Sequence, residues 1–161
     1  MRRVFYRAIL ITAWKVPSAP NGKYHLFASR WPGELTHYDW AKSVAVHAVS
    51  ETPNGPYQNP QQLFTDREGL GHNITGGVMP DGRYYVVASD AGRAGDVFIS
   101  DTIDGQYELQ GQVTMDANGQ DLDRAGANVS IIVRPDGKFL LVSRPGIVMI
   151  SDDIMGPYVA Q

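Results

Sequence analysis

An all-β chain of repeated four-stranded antiparallel units is what this sequence predicts, on three observations. One signature recurs as Ser50-Glu51-Thr52-Pro53-Asn54-Gly55-Pro56-Tyr57, Ser100-Asp101-Thr102-Ile103-Asp104-Gly105-Gln106-Tyr107 and Ser151-Asp152-Asp153-Ile154-Met155-Gly156-Pro157-Tyr158, its serines 50 and 51 residues apart. A second lies upstream of each: Asn21-Gly22-Lys23-Tyr24, Asp81-Gly82-Arg83-Tyr84 and Asp136-Gly137-Lys138-Phe139, each followed by an apolar run that ends in serine. Third, no stretch of about 12 residues holds the i, i+3, i+4, i+7 apolar spacing of a helix, and Asp-Gly and Gly-Pro steps break the chain often.

Each copy parses into strands A to D. Asn-Gly or Asp-Gly between apolar runs is a hairpin signal, because both residues tolerate positive φ in a type I′ turn, so these turns join A to B. In the first copy A covers 8–16, B is the Tyr/Phe-rich run after Gly22, and C covers 44–49. In the second, A covers 73–79 and C 96–100; in the third, A covers 128–133 and C 147–151. The Gly-Pro-Tyr or Gly-Gln-Tyr step opens D, where proline is tolerated because an outer edge strand can spare a backbone donor. In the third copy D stops at Gln161 after two or three residues.

Four-stranded units repeating at about 50 residues read as β-propeller blades. The expected organisation is one domain of three blades, 1–65, 66–116 and 117–161, the last incomplete. Propellers close with about four to eight blades. Three therefore make a partial ring, or a ring completed by oligomerisation. The segment Arg2-Arg3-Val4-Phe5-Tyr6-Arg7 is a spare β-prone stretch. Paired with the exposed strand C edge of blade three in another chain, it would join two chains into a six-bladed homodimer with two-fold symmetry.

Composition narrows the partners. The 161 residues are 43% apolar, enough for a core, with no cysteine and therefore no disulfide, thiolate nucleophile or Cys-ligated zinc. Fourteen Lys and Arg against 17 Asp and Glu give a net charge of −3, which leaves no electrostatic footprint for nucleic acid or an anionic membrane. No run approaches the 18 apolar residues of a membrane span. Arg2 and Arg3 precede an apolar run, but Arg7 interrupts it, so the stretch is read as structure rather than a secretion signal, and localisation stays open.

Alternating strand direction puts the starts of A, the ends of B, the starts of C and the ends of D on one face. That face gathers the connections 65–73 and 116–128, the loop 90–96 and an insertion in blade one. The hairpin glycine precedes the strand C serine by 28 residues in blade one, against 18 and 14 in the others. The extra loop runs from Arg30 through Trp31, Glu34, His37 and Asp39 to Trp40. Indole faces stack on sugar C–H faces while Arg and His bond hydroxyls, so Arg30, Trp31, His37 and Trp40 suit a glycan. The plain alternative for each tryptophan is a wedge between blades. Trp14, on strand A of blade one, is read as channel lining.

In Asp121-Leu122-Asp123-Arg124 the two carboxylates stand at i and i+2, about 7 Å apart on one face of an extended segment. Glycosidic cleavage uses two carboxyls about 5 to 9.5 Å apart. Asp121 reads as a turn cap, Asp123 and Arg124 as functional. Asn73 and Asn128 each stand eight residues ahead of a hairpin aspartate, where an amide can line the channel or tie blades together. His25 and His47, inside strands B and C, read as satisfied structural histidines.

The strand B runs, the Ser-Asp-x-x-x-Gly-Pro-Tyr hairpins and the Gly71-His72-Asn73 opening of an inner strand resemble the carbohydrate-active propellers: the five-bladed glycoside hydrolase family 43 type and the related polysaccharide lyases and rhamnosidases. The resemblance covers nearly the whole chain at blade level. It implies a glycan substrate, a structural calcium ion in the channel, and for His72 either a place in a metal or water cluster or the role of catalytic base. On a uronate substrate, Arg124 would grip the carboxylate while His72 abstracts the α-proton. The family's catalytic Asp sits on the inner strand of its first blade, whereas Ile11-Thr12-Ala13-Trp14-Lys15 holds no carboxylate. Two readings stand: an enzyme cleaving a polysaccharide or oligosaccharide, as hydrolase or lyase, and a non-catalytic carbohydrate-binding or truncated propeller module.

Overall fold

The computed structural model describes residues 21–30, 43–64, 73–89, 95–116, 129–143 and 146–161. All regular structure among them is β. The chain divides into two compact units, Met1–Ile74 and Thr75–Gln161. The first holds an antiparallel sheet of β1 (Tyr24–Arg30), β2 (Val44–Ser50) and β3 (Gln58–Gln62), in chain order. A four-stranded sheet follows, β4 (Ile74–Val78), β5 (Tyr84–Ala88), β6 (Asp96–Ser100) and β7 (Glu108–Gln112), also in chain order. The last sheet runs β8-β12-β11-β10-β9, from β8 (Met115–Asp116), β9 (Ser130–Val133), β10 (Phe139–Ser143), β11 (Ile147–Ser151) and β12 (Tyr158–Ala160). These are blades as the repeats predict, and the expected strand A of blade one, 8–16, lies outside the described residues, as does the segment 2–7.

The A-to-B hairpins differ from expectation in turn type. Gly82 N–H donates to Met79 O at 3.0 Å and Met79 N–H to Arg83 O at 2.7 Å; Gly137 N–H to Arg134 O at 3.0 Å and Arg134 N–H to Lys138 O at 2.8 Å repeat the pattern. Gly82 and Gly137 have φ of 89° and 82°, while the only described non-glycine residues at positive φ are Asn59 and Asn73. Each loop is therefore a type I turn closed by a left-handed glycine rather than a type I′ turn. Pro80 and Pro135 are the reason: their rings hold φ near −65°, which suits the second position of type I and forbids type I′. The aspartate then closes an Asx turn, Asp81 Oδ1 accepting Arg83 N–H at 3.0 Å and Asp136 Oδ1 accepting Lys138 N–H at 3.2 Å, as Asn21 Oδ1 accepts Lys23 N–H at 3.0 Å in blade one. A side-chain hydrogen bond from Arg83 holds the Asp81 carboxyl below its usual value.

The second signature is a turn with its own lock. Ser50, Ser100 and Ser151 each accept the N–H two residues on, at 3.1, 3.4 and 3.1 Å. Five residues along, Gly55, Gly105 and Gly156 donate to the carbonyls of Thr52, Thr102 and Asp153. The terminal tyrosine then folds back: Tyr57, Tyr107 and Tyr158 hydroxyls donate to Pro53, Ile103 and Ile154 carbonyls at 3.1, 3.1 and 3.0 Å. One side chain thus satisfies a turn carbonyl and fills apolar space at the start of strand D.

In the second unit, Tyr85, Val87, Val97 and Ile99 of β5 and β6 form one core cluster with Val129, Ile131, Phe139, Leu141, Met149 and Tyr158 of blade three. The Tyr85 hydroxyl reaches through it to donate to Ile131 O at 2.9 Å. Gly77 on β4 is required by this arrangement, since a Cβ there would collide with the Tyr85 ring and hydroxyl. Burial pushes the phenols of Tyr85, Tyr107 and Tyr158 above the ordinary tyrosine value. The neutral forms are favoured by folding, so this stability is present below about pH 10 and declines as pH rises beyond it. In an ultraviolet pH titration, those three of the eight tyrosines should ionise only together with alkaline unfolding. All eight titrating near pH 10 in a folded chain would contradict the burial.

Blade three corrects one further expectation. Its strand C edge is not exposed: β12 pairs with β11 at Met149↔Ala160 and Ile150↔Val159, and Gln161 N–H donates to Val148 O at 3.1 Å. The unpredicted β8 then pairs with β12 in parallel, Tyr158↔Met115 and Val159↔Asp116, led in by Thr114 N–H to Met155 O at 2.8 Å. The outer edge that was to receive a strand from another chain is occupied.

Candidate functional site

The face singled out by strand direction is where strands B end and strands C begin. In the first unit β1 ends at Ser29 and Arg30, the latter opposite Val44 at the start of β2. Ser29 and the neighbouring Ser43 are fully buried and Arg30 is half-buried, so this end of the sheet is polar yet enclosed. In the second unit β5 is followed by buried Ser89, β6 starts at Asp96 opposite Ala88, and β10 ends at buried Ser143. Serine thus recurs at the end of strand B in all three blades. Its role is visible in blade two, where Ser89 Oγ accepts Val129 N–H at 3.1 Å and ties the end of one blade to the first inner strand of the next.

Asp96 is the residue that sequence reasoning passed over. The residue is only 3% exposed, and an acidic side chain enclosed to that degree is held by the groups around it rather than by water. The available signal was an acid directly ahead of the apolar run Val97-Phe98-Ile99, after Gly95 at φ 104°.

Of the residues chosen from sequence, Arg30 and Asn73 fall within the described residues. Arg30 stands at the expected end of strand B. Asn73, expected as the first residue of strand A, instead precedes β4, with φ of 53°. Asparagine is among the few residues that take this left-handed conformation at small cost, and it re-aims the chain into the strand. Trp14, Trp31, His37, Trp40, His72, Asp123, Arg124 and Asn128 lie outside the described residues. Among the described residues no three of His, Asp and Glu gather as metal ligands, and His72, through which the resemblance implies a metal cluster, lies outside them.

His25 and His47 are buried, as structural histidines would be. They stand diagonally across β1 and β2, with His25 opposite Val49 and His47 opposite Phe27. Nδ1 of His25 lies 2.8 Å from Nε2 of His47, and Nε2 of His25 lies 3.3 Å from Asn21 Oδ1. The Phe27 ring stacks on His47 at a centroid distance of 4.7 Å. The chain Asn21-His25-His47 engages both ring nitrogens of His25 and Nε2 of His47 inside an apolar sheet face.

No family profile matches the sequence. No curated protein matches it either. Solved structures do. A GH43 protein from Bacillus licheniformis matches with a TM-score of 0.61 and 21% identity, over 89% of this chain and 28% of that one. A GH43 β-xylosidase/α-arabinofuranosidase from a compost microbial metagenome, in complex with xylotriose and calcium-free, matches with a TM-score of 0.59 and 14% identity, over 89% and 54%. An endo-1,5-α-L-arabinanase from Thermotoga petrophila matches with a TM-score of 0.59 and 15% identity, over 87% and 36%. The chain has the blade architecture of these propellers and spans between 28% and 54% of their length.

Proposed function

We propose that this chain is part of a carbohydrate-active propeller that hydrolyses glycosidic bonds in a polysaccharide or oligosaccharide, pentose-rich glycans being the first substrates to test. The observation that carries the reading is the match of nearly the whole chain to GH43 propellers named as xylosidase, arabinofuranosidase and arabinanase. The B-to-C loop of blade one would supply Trp31 and Trp40 for stacking on sugar rings and Arg30 and His37 for hydroxyls, while Trp14, Asn73 and Asn128, on or ahead of strands A, would supply the channel wall. In this reading Asp123 would act as one carboxyl of a cleaving pair, and His72 and Arg124 would act on the same bond.

A second reading, a glycan-binding module without catalysis, is favoured by one feature: the segment Ile11 to Lys15, expected from sequence as an inner strand, holds no carboxylate where the resemblance would have a catalytic one. Incubation with xylo- and arabino-oligosaccharides and with uronate-rich polysaccharide separates the readings. Hydrolysis should release reducing ends without absorbance of a 4,5-unsaturated product, and His72→Ala and Asp123→Asn should each abolish release while circular dichroism stays unchanged. An unsaturated product would assign a lyase. Retention on a glycan column without cleavage would assign a binding module.

A further inference from the structure

Asn21-Gly22 in blade one stands where blades two and three carry Asp81-Gly82 and Asp136-Gly137. The turn is shared: Asn21 Oδ1 accepts Lys23 N–H at 3.0 Å, as Asp81 Oδ1 accepts Arg83 N–H at 3.0 Å and Asp136 Oδ1 accepts Lys138 N–H at 3.2 Å. The chemistry differs, because an asparagine followed by glycine cyclises onto the backbone more readily than an aspartate does. In that reaction the Gly22 amide nitrogen attacks Cγ of Asn21. An N–C bond forms, the Cγ–Nδ2 bond breaks, and the displaced nitrogen leaves as ammonia with the proton from Gly22. Water then opens the five-membered imide, giving a hydroxyl to one carbonyl carbon and a proton to the Gly22 nitrogen.

Three features of the turn assist the attack. Both residues are exposed, and at Gly22, with φ of 70°, a Cβ would meet nothing within 4 Å, so the ring and the water have room. The Asx turn folds the Asn21 side chain back over the peptide that must attack it. Negative charge develops on Oδ1 during the attack, and two donors already meet that oxygen: Lys23 N–H and, at 3.3 Å, Nε2 of His25, which carries its hydrogen when it faces an acceptor. Donors fixed on a developing oxyanion lower the barrier.

We propose that Asn21 is a modification site, at which the folded chain converts its own asparagine to aspartate and sets a carboxylate against the His25–His47 pair. The product suits the turn, since blades two and three build the same turn with aspartate. The neutral contact to Nε2 of His25 becomes a charge-assisted hydrogen bond, so carboxylate, His25 and His47 form one connected chain.

Peptide mapping by mass spectrometry tests it. Cleavage after lysine and arginine releases residues 16–23, with Asn21 as their one asparagine, and residues 43–67, which hold Asn54 in the same Asn-Gly step. Asn54 is also exposed, but among the described residues no donor meets its side chain. In urea the two steps should convert at similar rates. In the folded chain at mildly alkaline pH, Asn21 is expected to convert about tenfold faster than Asn54, a fraction of what a buried oxyanion donor supplies. His25→Phe should slow Asn21 severalfold and leave Asn54 unchanged. Equal rates in the folded chain, an Asn21 that stays intact, or an Asn21 rate unchanged by His25→Phe would overturn the proposal. Should His25→Phe not fold, Asn21→Asp installs the product directly and is expected to keep the circular dichroism and unfolding midpoint of the parent. Its failure to fold would show that the turn in blade one does not hold a carboxylate, and would overturn the proposal as well.

Discussion

Replacing Leu141 by alanine is expected to destabilise the second unit by about 2–5 kcal/mol. Leu141 is fully buried at the middle of β10, opposite Met149 on β11 and Ile131 on β9. Truncation removes its buried methyl groups and leaves a cavity between two sheets whose backbones are fixed by their ladders, so little collapse can offset the loss. Denaturant unfolding should show a lower midpoint with an unchanged slope. Its neighbour Leu140 points to the opposite face and is half-buried, so Leu140→Ala should cost only about 1 kcal/mol. Equal costs at 140 and 141 would mean that the register of β10 is shifted, since a slip of one residue exchanges the two faces.

That alternation is local information, and much of the fold was legible because of it. The strand C segments 96–100 and 147–151 coincide with β6 and β11, being short apolar runs bounded by turn residues. The hairpins were legible as hairpins but not by type, since the weight placed on Asp-Gly overlooked Pro80 and Pro135, whose fixed φ decides between the two turns. β8 was not legible at all. A two-residue parallel pairing between Met115-Asp116 and Tyr158-Val159 joins segments some forty residues apart, and neither carries a periodic signal of its own.

The candidate site was legible as a place more than as a set of groups. Strand direction alone locates the polar end of each blade, where Ser29, Ser89, Ser143 and Asp96 are enclosed. The glycan-directed choices favoured exposed-looking residue types in connections, Trp31, His37, Trp40, Asp123 and Arg124. Burial of a carboxylate at the first position of a strand depends on what packs over it, and a single sequence does not encode that locally. The repeats supply a further signal: where one blade departs from the other two at an equivalent position, a specific interaction has replaced generic packing.

His25 and His47 are such a departure, since blade two carries Tyr85 and Val97 at their positions. The hydrogen bonds assign the protons. Asn21 Oδ1 already accepts Lys23 N–H, so the Asn21 oxygen faces His25 and Nε2 of His25 carries the hydrogen. Nδ1 of His25 is then an acceptor, and Nε2 of His47 donates to it over 2.8 Å. Replacing His47 by valine removes the donor and strands a buried acceptor, for a cost of about 1–3 kcal/mol; His25→Phe strands the donor at similar cost. The double variant His25→Phe/His47→Val removes both partners and installs side chains of the kind blade two uses, so its loss should be clearly smaller than the sum of the single losses. Unfolding midpoints of the four proteins complete the cycle. Strict additivity would mean that the two rings pack independently and share no proton.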